Sequence, residues 1–177
     1  MGTGLGMTES SPFGLFVTNP NVRAGDLGLP TPGLELKLVP NEGKTEVRYR
    51  GPNITPGYWR APEETAAHFD DEGFFCTGDA VVWIDPDNKH LGLKFDGRIA
   101  EDFKLATGTF VSVGPLRGKI IAAGAPYVQD AVITGLNLKE VGALVFPTAA
   151  CRTLADLPPT ASMQEVLESP AVQKHFQ

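Results

Sequence analysis

Apolar and polar positions alternate along two neighbouring segments in the first third of the chain, residues 34–39 (LELKLV) and 45–50 (TEVRYR). Strict alternation is typical of a strand with one buried face. Because residues 41–44 between the segments favour a turn, the two strands are predicted to pair as a hairpin. A second hairpin is predicted from residues 80–84 and 90–95, since Asp85 and Pro86 in the connection supply turn geometry.

Helix signals follow in two places. Residues 62–68 are predicted as a short helix, because Pro62 and two acidic residues fall in the first turn, where proline and negative charge are favourable. A longer helix is predicted to begin near Pro115 and to end at Gly124. Three apolar residues at helical spacing are predicted to form its buried face: Leu116, Ile120 and Ile121.

The last part of the chain mixes strands and helices. Residues 131–134 and 143–146 are predicted strands, and Ser162 with Glu165 has the pattern of a capping box at a helix start. A further helix is predicted to start at Ser169-Pro170. A β-rich first part therefore meets a mixed α/β second part near residues 98–101. The predicted fold class is α+β, with domains at 1–98 and 99–177.

Composition and charge restrict the class of protein. A chain of 177 residues with 42% hydrophobic and 20% charged residues is typical of a globular protein. Its 15 basic and 21 acidic residues give a net charge of −6, and the basic residues are scattered. A net acidic chain repels phosphate backbones, so no nucleic-acid partner is expected.

The cysteines and the apolar runs of the chain indicate whether a zinc site or a membrane span is expected. The two cysteines, Cys76 and Cys151, do not form a CxxC pair, so a zinc site is not expected. No apolar run approaches the roughly 18 residues that a membrane span needs. Two thiols fit a reducing compartment, and the first residues lack the layout of a signal peptide. A cytoplasmic location is therefore expected.

Two glycine-containing segments carry candidate chemistry. In residues 4–10 (GLGMTES), glycines allow a ligand to approach the backbone, Thr8 offers a hydroxyl to a phosphate, and Glu9 offers a carboxylate to a hard cation such as magnesium. In residues 73–79 (GFFCTGD), Asp79 is suited to accept two hydrogen bonds from a ribose diol. We expect Asp79 at a strand end, facing an open groove. The simpler alternative is a turn aspartate that bonds its own backbone.

A third segment lies at the predicted domain boundary. Residues 96–108 place Arg98, Lys104 and Gly108 close together in sequence. The simpler interpretation is a charged linker, and Gly108 would then only permit a left-handed turn between two strands.

Taken in order, three stretches resemble the adenylate-forming superfamily: GMTE, then GPNITPGYWRAPEETAAHFDDEGFFCTGD, then GRIAEDFKLATGTFVSV. That superfamily includes acyl- and aryl-CoA ligases, luciferases and the adenylation domains of peptide synthetases. The resemblance covers residues 4–147. The nearest likeness is to feruloyl-CoA synthase-like ligases, through the stretch EDFKLATGTFVSVGPLR.

The resemblance implies nucleotide-binding roles in the first domain. Thr8 matches the threonine that contacts the phosphate of ATP and AMP, and Glu9 matches the magnesium-binding glutamate. Leu5 and Gly6 match the positions that bracket the adenine. Asp79 matches the aspartate that binds the ribose hydroxyls.

The resemblance also implies roles around the domain boundary. Arg98 matches an arginine that holds the nucleotide at the end of the large domain, and Ala100 falls at the hinge position. Lys104 and Gly108 match the loop that swings in for thioester formation with coenzyme A. Together with Thr8 and Glu9, Lys104 is predicted to be catalytic.

By this resemblance the whole protein is an AMP-forming acid–CoA ligase. Its partners would be a small carboxylic acid, of the aryl type such as a hydroxycinnamate, and coenzyme A, with ATP and Mg²⁺. The chain would supply the last, distorted barrel-like β-subdomain and part of the mobile carboxy-terminal domain. The family's phosphate-binding loop and adenylating lysine find no match, so the chain alone is expected to be inactive. Two alternatives are an adenylation domain that loads a carrier protein and a binding module of the same fold without activity.

Overall fold

The computed structural model describes residues 3–158 and 160–176. Within them the chain separates into two units, the first ending at Glu101 and the second beginning at Asp102. The assignment of residues 1–98 and 99–177 to a large and a mobile domain of a ligase stays a prediction.

The first unit is built on a seven-stranded antiparallel sheet with the strand order β1-β2-β3-β7-β6-β5-β4. The strands are β1 Gly4–Leu5, β2 Leu15–Phe16, β3 Asp26–Pro30, β4 Glu35–Asn41, β5 Lys44–Arg50, β6 Phe75–Trp83 and β7 Leu93–Arg98. Helix α1 (Pro62–Ala67) connects β5 to β6. Three short 3-10 helices complete the unit: Thr8–Ser10, Lys89–Leu91 and Ile99–Glu101.

The predicted hairpin of β4 and β5 is confirmed. The two strands pair from Glu35–Arg50 down to Asn41–Lys44. Glu42 and Gly43 at the tip have φ values of 50° and 85°. A two-residue loop with both residues in the left-handed region has the twist that joins adjacent antiparallel strands.

The second hairpin, of β6 and β7, also forms, but the prediction began its second strand too early. Lys89–Leu91 is a 3-10 helix, and β7 starts at Leu93. The intervening Gly92 has φ 84°, and a Cβ there would lie 2.3 Å from the carbonyl oxygen of Gly28. This close backbone approach, which alternation does not reveal, sets the start of the strand.

The first unit has its own hydrophobic core. It contains a buried cluster that joins five of the seven strands to the turn before β4: Leu15, Leu27, Leu34, Val47, Tyr49, Val81 and Leu93. Val47 and Tyr49 alternate along β5, as strand periodicity requires. The predicted helix at 62–68 is confirmed as α1, which starts at Pro62 and ends one residue earlier.

The second unit contains two small antiparallel sheets, β8 with β9 and β10 with β11. Its elements are β8 Phe103–Lys104, β9 Phe110–Val111, α2 Val113–Ala123, β10 Val128–Thr134, β11 Gly142–Pro147, α3 Cys151–Ala155, α4 Met163–Glu168 and α5 Pro170–Phe176. The capping box of Ser162 and Glu165 is present at the start of α4. The predicted helix start at Pro170 is also confirmed.

Burial in the second unit is uneven. The helices α3, α4 and α5 enclose Cys151, Val166 and Val172. Helix α2 packs on β10, but none of its residues, all in the described part of the chain, is fully buried. The predicted buried face of α2 is therefore only half-buried.

The predicted α+β fold class is confirmed by a strand-rich first unit and a mixed second unit. Among the described residues, none of the helices has the length and apolar character needed to cross a bilayer.

Candidate functional site

Asp79 is a buried carboxylate paired with an arginine. It lies opposite Arg98 in the ladder between β6 and β7, and its Oδ1 is 2.9 Å from Nε of Arg98. The residue is 1% exposed. The contact lacks hydrogen-bond alignment, so neither oxygen of Asp79 accepts a hydrogen bond from any described side chain or backbone group. A buried carboxylate whose only partner is the Arg98 ion pair, with no aligned hydrogen-bond donor, is costly for the protein alone.

The predicted location of Asp79 at a strand end facing an open groove is wrong. Asp79 lies inside β6, because the strand continues through the Thr77-Gly78-Asp79 segment as a bulge. The backbone N–H of Asp79 is donated to Thr77 Oγ1 at 3.0 Å, so its own carboxylate does not satisfy it. The alternative, a turn aspartate whose carboxylate accepts hydrogen bonds from its own backbone, is therefore also wrong.

Burial raises the pKa of the Asp79 carboxyl group above its usual value. The guanidinium of Arg98 acts in the opposite direction, and the nearby charges of Glu101 and Glu46 raise the pKa further. Arg98 is half exposed, with 52% of its side chain accessible, so its charge is screened by water. The carboxylate is therefore held in an environment where additional hydrogen-bond donors would stabilise its charged form.

The bulge before Asp79 is held by contacts to β5. Gly78 donates its N–H to Oε1 of Glu46 at 3.0 Å, and Thr77 donates its hydroxyl to the carbonyl oxygen of Val47. Gly78 has φ 69°, and a Cβ there would meet no atom of the described residues beyond its chain neighbours. The glycine is explained by this left-handed backbone.

Tyr49 supplies a second buried polar atom beside the core. The residue is 0% exposed, and its hydroxyl oxygen has no hydrogen-bond partner within the described part of the chain. Burial, and then the charge of Asp79, raise the pKa of the Tyr49 hydroxyl. Sequence reasoning missed this residue, although a tyrosine on the apolar face of an alternating strand is itself a signal.

Glu9 lies in the 3-10 helix Thr8–Ser10 and is half-buried, whereas Thr8 is exposed. Oε1 of Glu9 accepts a hydrogen bond from the Tyr58 hydroxyl at 2.9 Å. The carbonyl oxygen of Glu9 accepts the backbone N–H of Thr55 at 2.8 Å, which fixes the backbone beside the carboxylate. Both contacts hold the Glu9 segment against the loop that follows β5.

Tyr58 remains a hydrogen-bond donor to Glu9 at neutral pH. Burial, and then the hydrogen bond to Glu9, raise the pKa of Tyr58 to about 12, so its hydroxyl keeps its proton. Sequence reasoning did not single out Tyr58, although it lies within the resembling stretch.

Leu5 and Gly6 have local explanations in the structure. Leu5 packs against the core cluster that contains Tyr49. A Cβ on Gly6 would lie 1.7 Å from the carbonyl oxygen of Pro12, so the chain's own backbone requires glycine there. Of the predicted nucleotide-binding residues, the structure thus brings Asp79 and Arg98 into direct contact.

Lys104 and Gly108 belong to the second unit. Lys104 ends β8 and is exposed. Gly108, in the connection to β9, has φ 83°, and its N–H is donated to the carbonyl oxygen of Leu105 at 2.9 Å. Beyond its chain neighbours, no described atom lies within 4 Å of a Cβ placed there. The left-handed turn is sufficient to explain this glycine.

Metal-ligating side chains do not cluster in the described residues. No group of three or more His, Cys, Asp or Glu side chains within residues 3–158 and 160–176 is arranged to hold a metal ion. Magnesium is commonly held by one or two carboxylates together with substrate phosphates, so Glu9 fits a metal that arrives with a nucleotide.

Curated relatives of the chain are acyl-activating enzymes. A probable CoA ligase of Humulus lupulus is 30% identical and is matched over 91% of this chain and 28% of its own length. A long-chain-fatty-acid–[acyl-carrier-protein] ligase of Arabidopsis thaliana is 30% identical, over 81% of this chain and 22% of its own. A 4-coumarate–CoA ligase of Pinus taeda is 30% identical, over 80% and 27%. The chain therefore spans about a quarter of the length of these relatives.

Solved structures agree with these relatives. The adenylation domain of a carboxylate reductase from Mycobacterium chelonae superposes with a TM-score of 0.64 and 30% identity, over 98% of this chain and 27% of that domain. No family model matches the chain. The fold, the order of the resembling stretches and these similarities agree: the chain belongs to the adenylate-forming superfamily of acyl-activating enzymes.

Proposed function

We propose that the chain is part of an ATP-dependent acid–CoA ligase, which converts a carboxylate, ATP and coenzyme A into acyl-CoA, AMP and pyrophosphate. The observation that carries the proposal is the Asp79 carboxylate, which is buried beside Arg98 and accepts no hydrogen bond from the described residues. A ribose diol would supply two hydrogen-bond donors in addition to the ion pair with Arg98. Each charge-assisted hydrogen bond of this kind contributes about 1.5–3 kcal/mol.

Glu9 and Thr8 are proposed to serve the phosphate end of the nucleotide. Tyr58 donates to one oxygen of Glu9, which orients the carboxylate, and the other oxygen is the proposed magnesium ligand. Magnesium would supply positive charge to the phosphate oxygens. The exposed Thr8 hydroxyl is proposed to contact a phosphate.

Lys104 and Gly108 are proposed to act in the second half-reaction, in which coenzyme A displaces AMP. The open space around Gly108 supports this role, because a thioester-forming ligand could pass close to the backbone there. Both residues would reach the nucleotide after a domain rotation about Ala100, a hinge motion. The cytoplasmic location stays a prediction.

An aryl acid such as a hydroxycinnamate is the proposed substrate. The support is the resemblance of residues 101–117 to feruloyl-CoA synthase-like ligases and the similarity to a relative named 4-coumarate–CoA ligase. Other relatives are named for malonate and for long-chain fatty acids. Acyl-CoA formation with ferulate, malonate and palmitate would separate these classes, and a clear preference for malonate or palmitate would contradict the aryl proposal.

A second candidate is the loading of a carrier protein. It is favoured by the similarity to an acyl-carrier-protein ligase. Coenzyme A and a carrier protein that bears phosphopantetheine can be offered as competing acceptors. Faster transfer to the carrier would favour this candidate, and absence of transfer to either would favour an inactive binding module.

The central test is nucleotide binding and turnover by the complete gene product that contains this chain. Calorimetry with ATP and Mg²⁺ measures binding, and release of pyrophosphate and acyl-CoA measures the two half-reactions. The proposal predicts ATP binding and acid-dependent release of pyrophosphate. Failure to bind ATP would contradict it. The same assays on the isolated chain test the expectation that it is inactive by itself.

A further inference from the structure

The turn that presents Asp79 is fastened by a side chain of the neighbouring strand. Glu46 and Arg48, two residues apart on β5, lie opposite Ala80 and Cys76, four residues apart on β6. The extra residues of β6 form a bulge, in which ladder hydrogen bonds are interrupted. At this point Oε1 of Glu46 accepts the N–H of Gly78 at 3.0 Å.

We propose that Glu46 is a positioning residue for Asp79. Its carboxylate takes the place of an interrupted ladder hydrogen bond and fixes the bulge in the conformation in which Asp79 meets the ribose. The inference rests on the proposed nucleotide-binding function of Asp79 and deepens it.

Glu46 is itself held in place. It is 3% exposed, and its Oε2 accepts hydrogen bonds from Nε and Nη2 of Arg48 at 3.0 and 2.8 Å. Asn41 donates to the same oxygen at 3.3 Å. The two oxygens of Glu46 therefore have separate partners: Oε2 binds side chains of the sheet, and Oε1 binds the turn.

The geometry explains why the position of Asp79 depends on this contact. Gly78 directly precedes Asp79 and has φ 69°, a region in which glycine has unusual freedom. The Gly78 N–H belongs to the Thr77–Gly78 peptide, and without an acceptor that peptide would be freer to rotate. The next peptide is held separately, by the Asp79 N–H that is donated to Thr77 Oγ1. Thr77, the residue before Gly78, donates its hydroxyl to the carbonyl oxygen of Val47. Among the described residues, Glu46 is the only one whose side chain forms a hydrogen bond with Gly78.

The experiment compares ATP with 2′,3′-dideoxy-ATP, which lacks the hydroxyls that Asp79 would bind. Dissociation constants are measured by calorimetry on the complete gene product, for the wild type and for Glu46→Ala. We expect Glu46→Ala to weaken ATP binding about tenfold, equivalent to ~1.4 kcal/mol, and to leave dideoxy-ATP binding nearly unchanged. Asn41→Ala is the matched control, since it removes a contact to Glu46 without touching Gly78, and both affinities should stay near the wild-type values.

Glu46→Asp keeps the experiment decisive if Glu46→Ala does not fold. It retains the charge beside Arg48 and shortens the reach to Gly78, so it should reduce ATP binding selectively, by a smaller factor. Equal weakening for the two nucleotides, or no weakening of either, would overturn the positioning role. If Asp79→Ala abolishes the preference for ATP over dideoxy-ATP while the Glu46 variants retain it, only this inference fails. If the wild type shows no such preference, the proposed function of Asp79 fails.

Discussion

The Thr77-Gly78 and Thr107-Gly108 turns have the same local sequence and different surroundings. Gly78 and Gly108 both have positive φ and open space at the Cβ position. The first turn is a bulge inside a seven-stranded sheet, anchored by Glu46, and it leads to a buried carboxylate. The second is exposed and lies between two-residue strands. In both turns the glycine is explained by the left-handed backbone. The difference between the turns lies in their surroundings: the first is held within a large sheet beside a buried carboxylate, and the second is an exposed hairpin connection.

The largest expected effect is on the first turn. Asp79→Ala removes the proposed acceptor of two ribose hydroxyls, and each lost bond costs about 1.5–3 kcal/mol, so ATP affinity should fall at least tenfold. Calorimetry on the complete gene product measures this change. Asp96→Ala, which removes a carboxylate from β7 in the same sheet, is the control and should bind ATP normally. Normal ATP binding by Asp79→Ala would remove the functional distinction between the turns.

The second prediction concerns stability and pH. Folding raises the pKa of Asp79, mainly by burial. The Asp79 carboxyl group therefore loses its proton at a lower pH in the unfolded chain than in the native protein. Stability therefore falls as pH rises through this interval. Asp79→Asn should raise the melting temperature at neutral pH, and the gain should vanish below the ordinary value of 3.8. A lower melting temperature for Asp79→Asn at neutral pH would contradict the inferred cost of burying the charged carboxylate.

Asp70 provides the opposite case in the same unit. Burial alone would raise its pKa, but hydrogen bonds from Phe74, Lys37 and Arg48 outweigh burial and lower the pKa to about 2. Its contribution to stability is present above the ordinary value of 3.8 and is lost as pH falls towards about 2. Asp70→Asn should therefore lower the melting temperature at neutral pH, and the deficit should shrink in acid. A deficit that stays constant across this pH range would show that the charge of Asp70 is not its source.

A further prediction separates the two explanations of Gly108. Because space is open there, Gly108→Ala and Gly108→Leu should lose similar stability, about 1–2 kcal/mol from the left-handed backbone. If the turn passes close to coenzyme A, Gly108→Leu should slow thioester formation far more than pyrophosphate exchange, and more than Gly108→Ala does. Equal losses in both half-reactions, together with a lower melting temperature, would leave only the turn explanation.

The smallest expected effect is at Tyr58. Tyr58→Phe removes the hydroxyl that donates to Glu9 and leaves the ring in place. The magnesium concentration for half-maximal pyrophosphate exchange should rise by about 2–10-fold, the range expected for one modest hydrogen bond. Tyr127→Phe in the second unit is a control. An unchanged magnesium requirement would indicate that Tyr58 does not orient a metal ligand.

Sequence reasoning predicted the features that depend on neighbouring residues. The hairpin at Glu42-Gly43, the first turn of α1 and the capping box at Ser162 follow from local turn and helix-end chemistry. The burial of Asp79 could not be predicted this way, because it depends on register shifts between strands far apart in sequence. The 2.3 Å approach of the Gly28 carbonyl oxygen to a Cβ on Gly92 is likewise a contact between distant segments.

The role of Asp79 is tested most directly by a crystal structure of the complete gene product with AMP. We expect both ribose hydroxyls within hydrogen-bond distance of the Asp79 carboxylate, about 2.5–3.0 Å between oxygens, with Glu46 still bonded to Gly78. AMP bound with its ribose away from Asp79 would contradict the proposed ribose-binding role of Asp79.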